Sequence, residues 1–413
     1  MRAFPFGHAA GTGAQDTVDA VLEQLRQRLL YAGYRSAPPL ALVYMTDRLA
    51  PEAEAVMLRL REGLPQVHEW VGSVGVGIAA TGIEYWDVPA LAVLLCDITR
   101  EQYRVFSGLA PLPPGGNAFS ALVHADPHTP ELTALLGELA QRTRSGYLFG
   151  GVSSSRGEAL QFVASGARPD NGVLQGGLSG VAFDESVRLV SRVTQGCLPL
   201  AGTHTISAAQ QNLVLRLDGR PALDVLLEEL EVTLAQSERA LQAMRRTLAG
   251  LVSAPTGEDD GVITIERTGN FGAEVRVRHI IGIDPGHGAV ALADQVEAGM
   301  ELAFCQRNAQ AARVDLTRIC AEIREELEPS LEALEPALPA GAEAPAAPGQ
   351  AIAGALYISC AGRGGQHFGA EHAELQIVRR ALGDVPLIGF FAGGEIARHN
   401  LYGYTGVLTA WAA

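Results

Sequence analysis

The last part of the chain alternates apolar runs with glycine-rich breaks, and this pattern predicts a compact structural unit. The apolar run Ala355–Ser359 is typical of a buried strand, and a glycine-rich loop, Cys360–Gly369, follows it. Leucine and valine then recur at helical spacing over residues 375–382, which predicts a helix. Two further apolar runs, Leu387–Phe391 and Thr405–Trp411, predict strands. The predicted order is therefore strand, loop, helix, strand, glycine break and strand.

The same order of apolar runs occurs twice earlier, at about Leu40–Ile98 and at about Ser120–Glu185. Each stretch has a first apolar strand, an amphipathic helix, a glycine-broken strand and a closing strand. Units of roughly 60 residues are longer than the ~20–50 residues of stacked repeats, so we interpret them as internal duplication. The pattern predicts an α/β fold of repeated strand–helix–strand–strand units, with mixed sheets covered by helices, in two domains.

The rest of the chain predicts how these units are divided. Residues 1–35 form an N-terminal segment with a helix, 36–235 a first domain and 236–413 a second domain. Leucines at helical spacing predict one long bridging helix over Leu223–Leu251. The segment 328–350 is rich in Pro, Ala and Glu, which predicts a flexible excursion.

Composition narrows the function classes. The 413 residues carry a formal net charge of −15, and no dense block of Lys and Arg suggests a nucleic-acid surface. The five cysteines form no CxxC pair, and the histidines form no metal-binding array, so we predict neither a metal nor a cofactor. Arg2 precedes no long apolar core, and the apolar runs are far shorter than the ~20 residues that span a bilayer. These features predict a cytoplasmic protein that binds no membrane.

Several separated motifs resemble one known family. The stretch QGCLPLAGTHTISAAQQNLVLRLDGRPALDVL, residues 195–226, is similar to the FIST N domain. VRHIIGIDPGHGAVALADQVEAGMELAFCQRN, followed by ALYISCAGRGGQHFG, VPLIGFFAGGEI and LYGYTG, resembles the FIST C domain. The resemblance implies a stand-alone bacterial sensory protein of signal transduction that binds a small ligand, such as an amino acid, without catalysis. No kinase, cyclase or methyl-accepting segment accompanies it, so output would pass through a signalling partner.

Two glycine-containing loops at the ends of neighbouring strands predict where such a ligand binds. Arg363 could hold a ligand carboxylate with its forked guanidinium, and Glu395 could receive an ammonium group. Together they would suit an amino-acid-like zwitterion, although the same charges could simply pair on the surface. The candidate ligand-binding residues are Arg363, Gly364, His367, Gly393, Gly394, Glu395, Gly150, Gly151 and Tyr404.

The loop after the first of these strands also carries a thiol and an imidazole. Cys360 and His367 could act as nucleophile and base in a thiol-dependent hydrolase or transferase. We favour a buried structural cysteine at the end of a strand over this alternative, because the spacing alone identifies no orienting third residue. A protein-interaction scaffold is the remaining alternative, and it would expose a large apolar patch.

Overall fold

The computed structural model describes residues 3–31, 37–165, 172–235, 237–252, 275–327 and 352–413. Within these ranges the chain forms seven α-helices and 26 strands in mixed sheets, which confirms the predicted α/β fold. The helices are α1 Ala14–Leu30, α2 Ala53–Gly63, α3 Leu132–Gln141, α4 Ala222–Glu229, α5 Ser237–Arg246, α6 Ala309–Leu327 and α7 Ala373–Leu382. The predicted flexible excursion at 328–350 lies outside the described residues.

The strands fall into four sheets. In chain order they are β1 Phe6–Ala10, β2 Leu40–Thr46, β3 Glu69–Gly75, β4 Gly77–Ala80, β5 Ile83–Trp86, β6 Ala90–Cys96, β7 Tyr103–Ser107, β8 Ser120–Ala125, β9 Tyr147–Val152, β10 Gln161–Ser165, β11 Val173–Leu174, β12 Leu178–Phe183, β13 Leu189–Gln195, β14 Cys197–Pro199, β15 His204–Gln210, β16 Leu213–Leu217, β17 Arg220–Pro221, β18 Thr247–Val252, β19 Arg276–Asp284, β20 Ala289–Leu292, β21 Glu301–Arg307, β22 Ile352–Cys360, β23 Leu387–Ala392, β24 Gly394–Arg398, β25 Asn400–Tyr402 and β26 Thr405–Ala412.

The chain divides into two compact units. Unit one comprises 1–193, 316–401 and 405–413, and unit two comprises 194–315 with 402–404. Three six-stranded sheets have the orders β1-β6-β2-β3-β10-β11, β25-β24-β9-β8-β12-β7 and β13-β26-β22-β23-β4-β5. The eight-stranded sheet β14-β21-β15-β16-β20-β19-β18, with β17 beside β16, belongs to unit two. The predicted sequence-domain boundary near residue 235 stays a prediction.

Unit one contains the same pairing three times. In each case the first strand pairs in parallel with the strand after its helix and antiparallel with the closing strand: β2 with β3 and β6, β8 with β9 and β12, and β22 with β23 and β26. The repeated pattern of apolar runs therefore corresponds to a repeated structure. Apolar side chains of α1 and α2 pack on the first sheet, and those of α3 pack on the second.

The three repeats also exchange strands in a cycle. The strand after each glycine break leaves its own sheet and pairs antiparallel with a neighbouring repeat: β4 with β23, β10 with β3, and β24 with β9. Each repeat thus completes the sheet of another. This exchange explains why residues far apart in the sequence meet at one site.

Three equivalent glycines make the parallel pairs possible. Gly72, Gly150 and Gly389 occupy the same register position, opposite Val43, Val123 and Tyr357 respectively. A Cβ at each would lie 1.7–1.9 Å from the carbonyl oxygen of its partner. No side chain fits such a close backbone approach, so glycine is required at all three positions.

Aromatic residues from all three repeats meet in the centre of unit one. The Tyr44 hydroxyl lies 2.9 Å from Nε2 of His124, and the Tyr44 ring stacks on Phe390 with centroids 5.1 Å apart. Burial lowers the pKa of His124 to about 3, so its imidazole is neutral at physiological pH. These contacts tie the repeats together through one buried polar pair within an apolar centre.

The predicted long helix over Leu223–Leu251 is wrong. The chain forms the short helix α4, a second helix α5 and then the buried strand β18. Glu231 adopts a positive φ of 52°, which ends the first helix shortly after Glu229. The leucine spacing continued beyond this point, but Thr247–Val252 pairs in the eight-stranded sheet, where its apolar residues are buried.

Candidate functional site

The candidate site lies where β22 and β23 end at the same sheet edge. Cys360 and Ala392, the last residues of these parallel strands, are register partners. The chain after Cys360 runs through turns and bends until α7 begins, while β24 begins two residues after Ala392. The two predicted glycine-containing segments therefore leave the sheet side by side.

Arg363 lies inside this edge in a buried ion pair. Its Nε donates a hydrogen bond to Oε1 of Glu374 at 3.1 Å, and both side chains are 1% exposed. The same oxygen accepts hydrogen bonds from the Tyr357 hydroxyl at 2.6 Å and from Ser359 Oγ at 3.0 Å. Burial acts to lower the pKa of Arg363, but Tyr357 and Glu374 outweigh it and hold that pKa above its ordinary value. Arg363 is therefore charged and held in one position.

Glu395 lies in strand β24, whereas the sequence predicted a loop. Its side chain is fully buried, and Oε2 accepts hydrogen bonds from the Thr405 backbone N–H at 3.1 Å and from Thr405 Oγ1 at 2.7 Å. Burial raises the pKa of Glu395 to about 8, although Thr405, Arg363 and a hydrogen bond with the Cys360 thiol act to lower it. At neutral pH this carboxyl group is therefore largely protonated.

The glycines predicted from the second repeat lie directly beside Glu395. In the β9–β24 pair, Gly151 is the register partner of Glu395, and Gly150 that of Ile396. A Cβ on Gly151 would approach Ile358 Cγ2 and Ala392 Cβ within 3 Å, so a side chain would not fit there. The strand exchange thus brings Gly150 and Gly151 to the site that the loop residues predicted.

Gly393 and Gly394 make the turn from β23 into β24. The Gly393 N–H donates to the carbonyl oxygen of Val152 at 3.0 Å, and Gly394 is the register partner of the same valine. These contacts guide the chain from one sheet into the next. They set the position of Glu395 one residue later.

Glu84 is a site residue that the sequence analysis missed. It lies in β5, is 3% exposed, and its Oε2 accepts hydrogen bonds from Trp86 Nε1 and from the Gly365 N–H, both at 3.0 Å. Burial raises the pKa of Glu84 to about 7, while these two hydrogen bonds lower it and nearby Glu374 raises it further. The available signal was a single carboxylate in the otherwise uncharged strand IEYW.

Gly364 provides the space for the indole of Trp86. A Cβ on Gly364 would lie 2.0 Å from Cζ2 of Trp86, and the indole packs on Phe391 with ring centroids 4.3 Å apart. Because Trp86 also donates to Glu84, the glycine fixes both the aromatic wall and the carboxylate beside it. Gly364 therefore shapes the site although it offers no side chain.

The carboxyl groups of Glu84, Glu374 and Glu395 each have one buried oxygen that accepts no hydrogen bond from the described residues. Glu84 Oε1, Glu374 Oε2 and Glu395 Oε1 are inaccessible to solvent and have no hydrogen-bond partner among the described residues. A buried acceptor without a donor costs about 1–3 kcal/mol, so three around one loop is an unfavourable arrangement for the protein alone. Chemically, the cluster can accept hydrogen bonds from a donor-rich group.

Comparison with protein-family models identifies the chain. A FIST N domain model matches residues 39–220, and a FIST C domain model matches residues 222–398. The chain belongs to the FIST family. FIST domains are generally sensory, signal-transduction domains that are thought to bind small ligands.

Relatives of this FIST protein occur in mycobacteria. An uncharacterized protein of Mycobacterium tuberculosis is 31% identical over 354 residues, which cover 81% of each chain. An uncharacterized protein of Mycobacterium bovis is 30% identical over 392 residues, which cover 89% of each chain. The similarity therefore extends over both domains in each case.

His367 and Tyr404, two of the predicted ligand-binding residues of the FIST protein, contact aromatic and basic side chains. The His367 ring packs edge-on against Phe368, with centroids 5.4 Å apart, and the Arg363 guanidinium lies 5.3 Å from the same phenyl ring. Tyr404 belongs to unit two, where its hydroxyl contacts His279 Nε2 and the Arg307 guanidinium lies 4.8 Å from its ring.

The described part of the FIST chain shows no group of three or more His, Cys, Asp or Glu residues that could hold a metal ion. Within the same ranges, none of the helices combines the length and the apolarity needed to cross a bilayer. The candidate site is thus built from carboxyl groups, one guanidinium, one thiol and aromatic walls.

Proposed function

We propose that this FIST protein is a cytoplasmic sensor that binds a small amino-acid-like ligand at the Arg363 cluster, without catalysis. By the Arg363 cluster we mean Arg363, Glu374, Glu395 and Glu84 with the loop 361–372. Ligand binding would be transmitted to a separate signalling protein. The observation that carries the proposal is the set of three buried carboxyl oxygens without donors around the loop that holds the buried Arg363.

A ligand ammonium group matches this chemistry. It carries three N–H donors, and it would supply both the hydrogen bonds and the positive charge that the buried carboxylates lack. The opposite end of a zwitterion, a carboxylate, would be attracted by Arg363, whose Nε is engaged by Glu374. The loop glycines would allow the ligand to approach the backbone closely.

The architecture also supports a sensory role. Glu84 in β5 and Glu395 in β24 come from elements that the strand exchange brings next to another repeat, whereas Arg363 and Glu374 come from the loop before α7 and from α7 itself. A ligand that bridges them would change the relative stability of these contacts within unit one. Such a differential interaction is what a ligand needs in order to shift a conformational equilibrium.

A thermal-shift screen tests the proposal. The panel contains amino acids, the matching amines without a carboxylate, and the matching carboxylic acids without an amine. A ligand at about 100 times its Kd stabilises the folded protein by about 2.7 kcal/mol, which such a screen detects. We expect amino acids to raise the melting temperature and the two truncated series to have weaker effects.

Matched variants locate the binding site. Glu395→Gln keeps the size of the side chain but cannot ionise to pair with an ammonium group, and we expect it to weaken the shift strongly. Glu62→Gln changes an exposed carboxylate in α2, away from the cluster, and serves as the control. A flat screen, or a hit that Glu395→Gln and Glu84→Gln both leave unchanged, would contradict the proposal.

A further inference from the structure

Cys360 differs from the other cysteines of the protein. Cys96, Cys197, Cys305 and Cys320 are buried, whereas Cys360 is partly exposed at the end of β22. Burial raises the pKa of Cys96 above its ordinary value and that of Cys320 to about 12, so these thiols stay protonated. Because the thiolate is the reactive form, such buried thiols are chemically inert.

A carboxyl group in a fixed orientation contacts the Cys360 thiol. Glu395 forms a hydrogen bond with this thiol, and Thr405 holds Glu395 Oε2 through both its backbone N–H and its hydroxyl. The other oxygen, Oε1, is buried and has no hydrogen-bond partner among the described residues. The site therefore offers a nucleophile, a positioned proton acceptor and a free acceptor atom for one more group.

The acid strength of Glu395 is close to that of an ordinary thiol. The pKa of Glu395 is raised to about 8, mainly by burial, and an ordinary thiol titrates near about 8.5. Proton transfer from the thiol to the carboxylate is therefore close to balanced, which is the condition for efficient general-base catalysis. Arg363, whose charge acts on Glu395, lies three residues after Cys360 and favours negative charge on this pair.

We infer that Cys360 is an oxidation site for small hydroperoxides, with Glu395 as the proton acceptor and donor. A small polar oxidant suits a partly exposed thiol whose neighbours Ser359, Arg363 and Glu395 are buried, because a bulky electrophile would be excluded. The hydroperoxide O–H can donate to the acceptor atom Oε1. Oxidation of Cys360 is distinct from the small-ligand binding proposed above and does not depend on it.

The reaction is balanced without any further reagent. Glu395 takes the proton from Sγ of Cys360, and the thiolate attacks the terminal oxygen of the hydroperoxide. The O–O bond breaks as the S–O bond forms, and the leaving oxygen takes the proton back from Glu395. The sum is Cys–SH + ROOH → Cys–SOH + ROH, in which sulfur loses two electrons and the peroxide gains them.

The test uses the whole protein, hydrogen peroxide and dimedone, which traps sulfenic acids. Peptide mass spectrometry measures the rate of labelling at each cysteine between pH 6 and pH 9, without any ligand. We expect labelling at Cys360 and at none of the four buried cysteines. The rate should rise almost tenfold per pH unit at low pH and level off above about pH 8, where Glu395 is ionised.

Variants separate the role of Glu395 from a structural effect. Glu395→Gln should slow labelling at Cys360 at least tenfold and remove the rise centred near pH 8, while Glu62→Gln, at an exposed position of α2, should change neither. If Glu395→Gln fails to fold, Thr405→Val takes its place, because it removes the Oγ1 donor to Glu395 and should move the step to higher pH. A thiol that ionises without Glu395 would instead keep the step at about pH 8.5. Absence of labelling at Cys360, equal labelling of the buried cysteines, or a profile without a step near pH 8 would overturn the inference.

Discussion

Nε of Arg363 donates a hydrogen bond to Oε1 of Glu374 at 3.1 Å, in a place where both side chains are 99% removed from solvent. The cost of taking two charges out of water can exceed their mutual attraction, so such a pair is weak evidence for stability by itself. Removing one partner, however, leaves an uncompensated buried charge. The pair therefore fixes the position of Arg363, and loss of either partner would be strongly destabilising.

Breaking this pair should be strongly destabilising. Glu374→Gln removes the charge that compensates Arg363, and we expect the free energy of unfolding to fall by about 3–5 kcal/mol in urea denaturation. Asp19→Asn breaks the exposed pair between Arg59 and Asp19 as a control and should cost less than about 1 kcal/mol. Similar losses of unfolding free energy in both variants would show that the buried pair is no more important for stability than an exposed pair.

The close backbone approach at the three equivalent glycines predicts that alanine is destabilising there but tolerated at an unconstrained glycine. Gly150→Ala would place a Cβ 1.9 Å from the carbonyl oxygen of Val123, so the β8–β9 pair must shift, and we expect a loss of at least about 1–3 kcal/mol. Gly137→Ala in α3 meets no atom within 4 Å and should stabilise the protein by roughly 0.5–1 kcal/mol. Thermal unfolding of both variants measures the contrast. Tolerance of alanine at Gly150 would refute the close approach.

The raised pKa of Glu395 predicts the pH dependence of stability. The folded protein holds a proton on this carboxyl that the unfolded chain has lost above its ordinary pKa of 4.5. The contribution of Glu395 to stability is therefore fully present below about pH 4.5 and is lost as the pH rises to about 8. Relative to the wild type, Glu395→Gln should be more stable at pH 8 than at pH 5 in chemical denaturation. If the difference in unfolding free energy between Glu395→Gln and the wild type were the same at both pH values, the pKa of Glu395 would not be raised in the folded protein.

The contribution of His204, in unit two, to stability should also fall as the pH rises, but over a higher pH range. Its Nδ1 lies 2.7 Å from Asp218 Oδ2 and its Nε2 lies 2.6 Å from Glu229 Oε1. Burial acts to lower the pKa of His204, but the two carboxylates outweigh it and raise that pKa above 6.5. Its contribution is present below the ordinary pKa and is lost as the pH rises through the folded one. His204→Gln should therefore destabilise the protein more at pH 6 than at pH 9. Equal effects in urea denaturation would mean that the imidazole is not charged in the fold.

Much of unit one could be predicted from the sequence because its strands are long apolar runs with glycine breaks. Strands at Leu40–Thr46, Ser120–Ala125 and Ile352–Cys360 follow directly from that pattern. The proximity of the loops after Ile352–Cys360 and Leu387–Ala392 follows from parallel pairing. Helical spacing misled the prediction at Leu223–Leu251, since apolar residues at such intervals also occur where a short helix precedes a buried strand.

The missing parts of the site depend on pairing that no local pattern encodes. Glu84 reaches the loop because β5 pairs with β4 and β4 pairs with β23, which is a consequence of the strand exchange. Glu374 lies in the first turn of α7, and its role follows only from its contact with Arg363. The raised pKa values of Glu84 and Glu395 likewise arise from burial, which composition does not reveal.

Proton release on ligand binding tests the central claim most directly. At pH 7 Glu395 is largely protonated, so an ammonium group that binds its carboxylate must displace that proton. Titration calorimetry of an amino-acid hit in buffers of different ionisation enthalpy should show the release of about one proton per ligand in the wild type. Glu395→Gln should show weaker binding and a release smaller by about one proton. Equal affinity and equal proton release in both proteins would contradict binding at the Arg363 cluster.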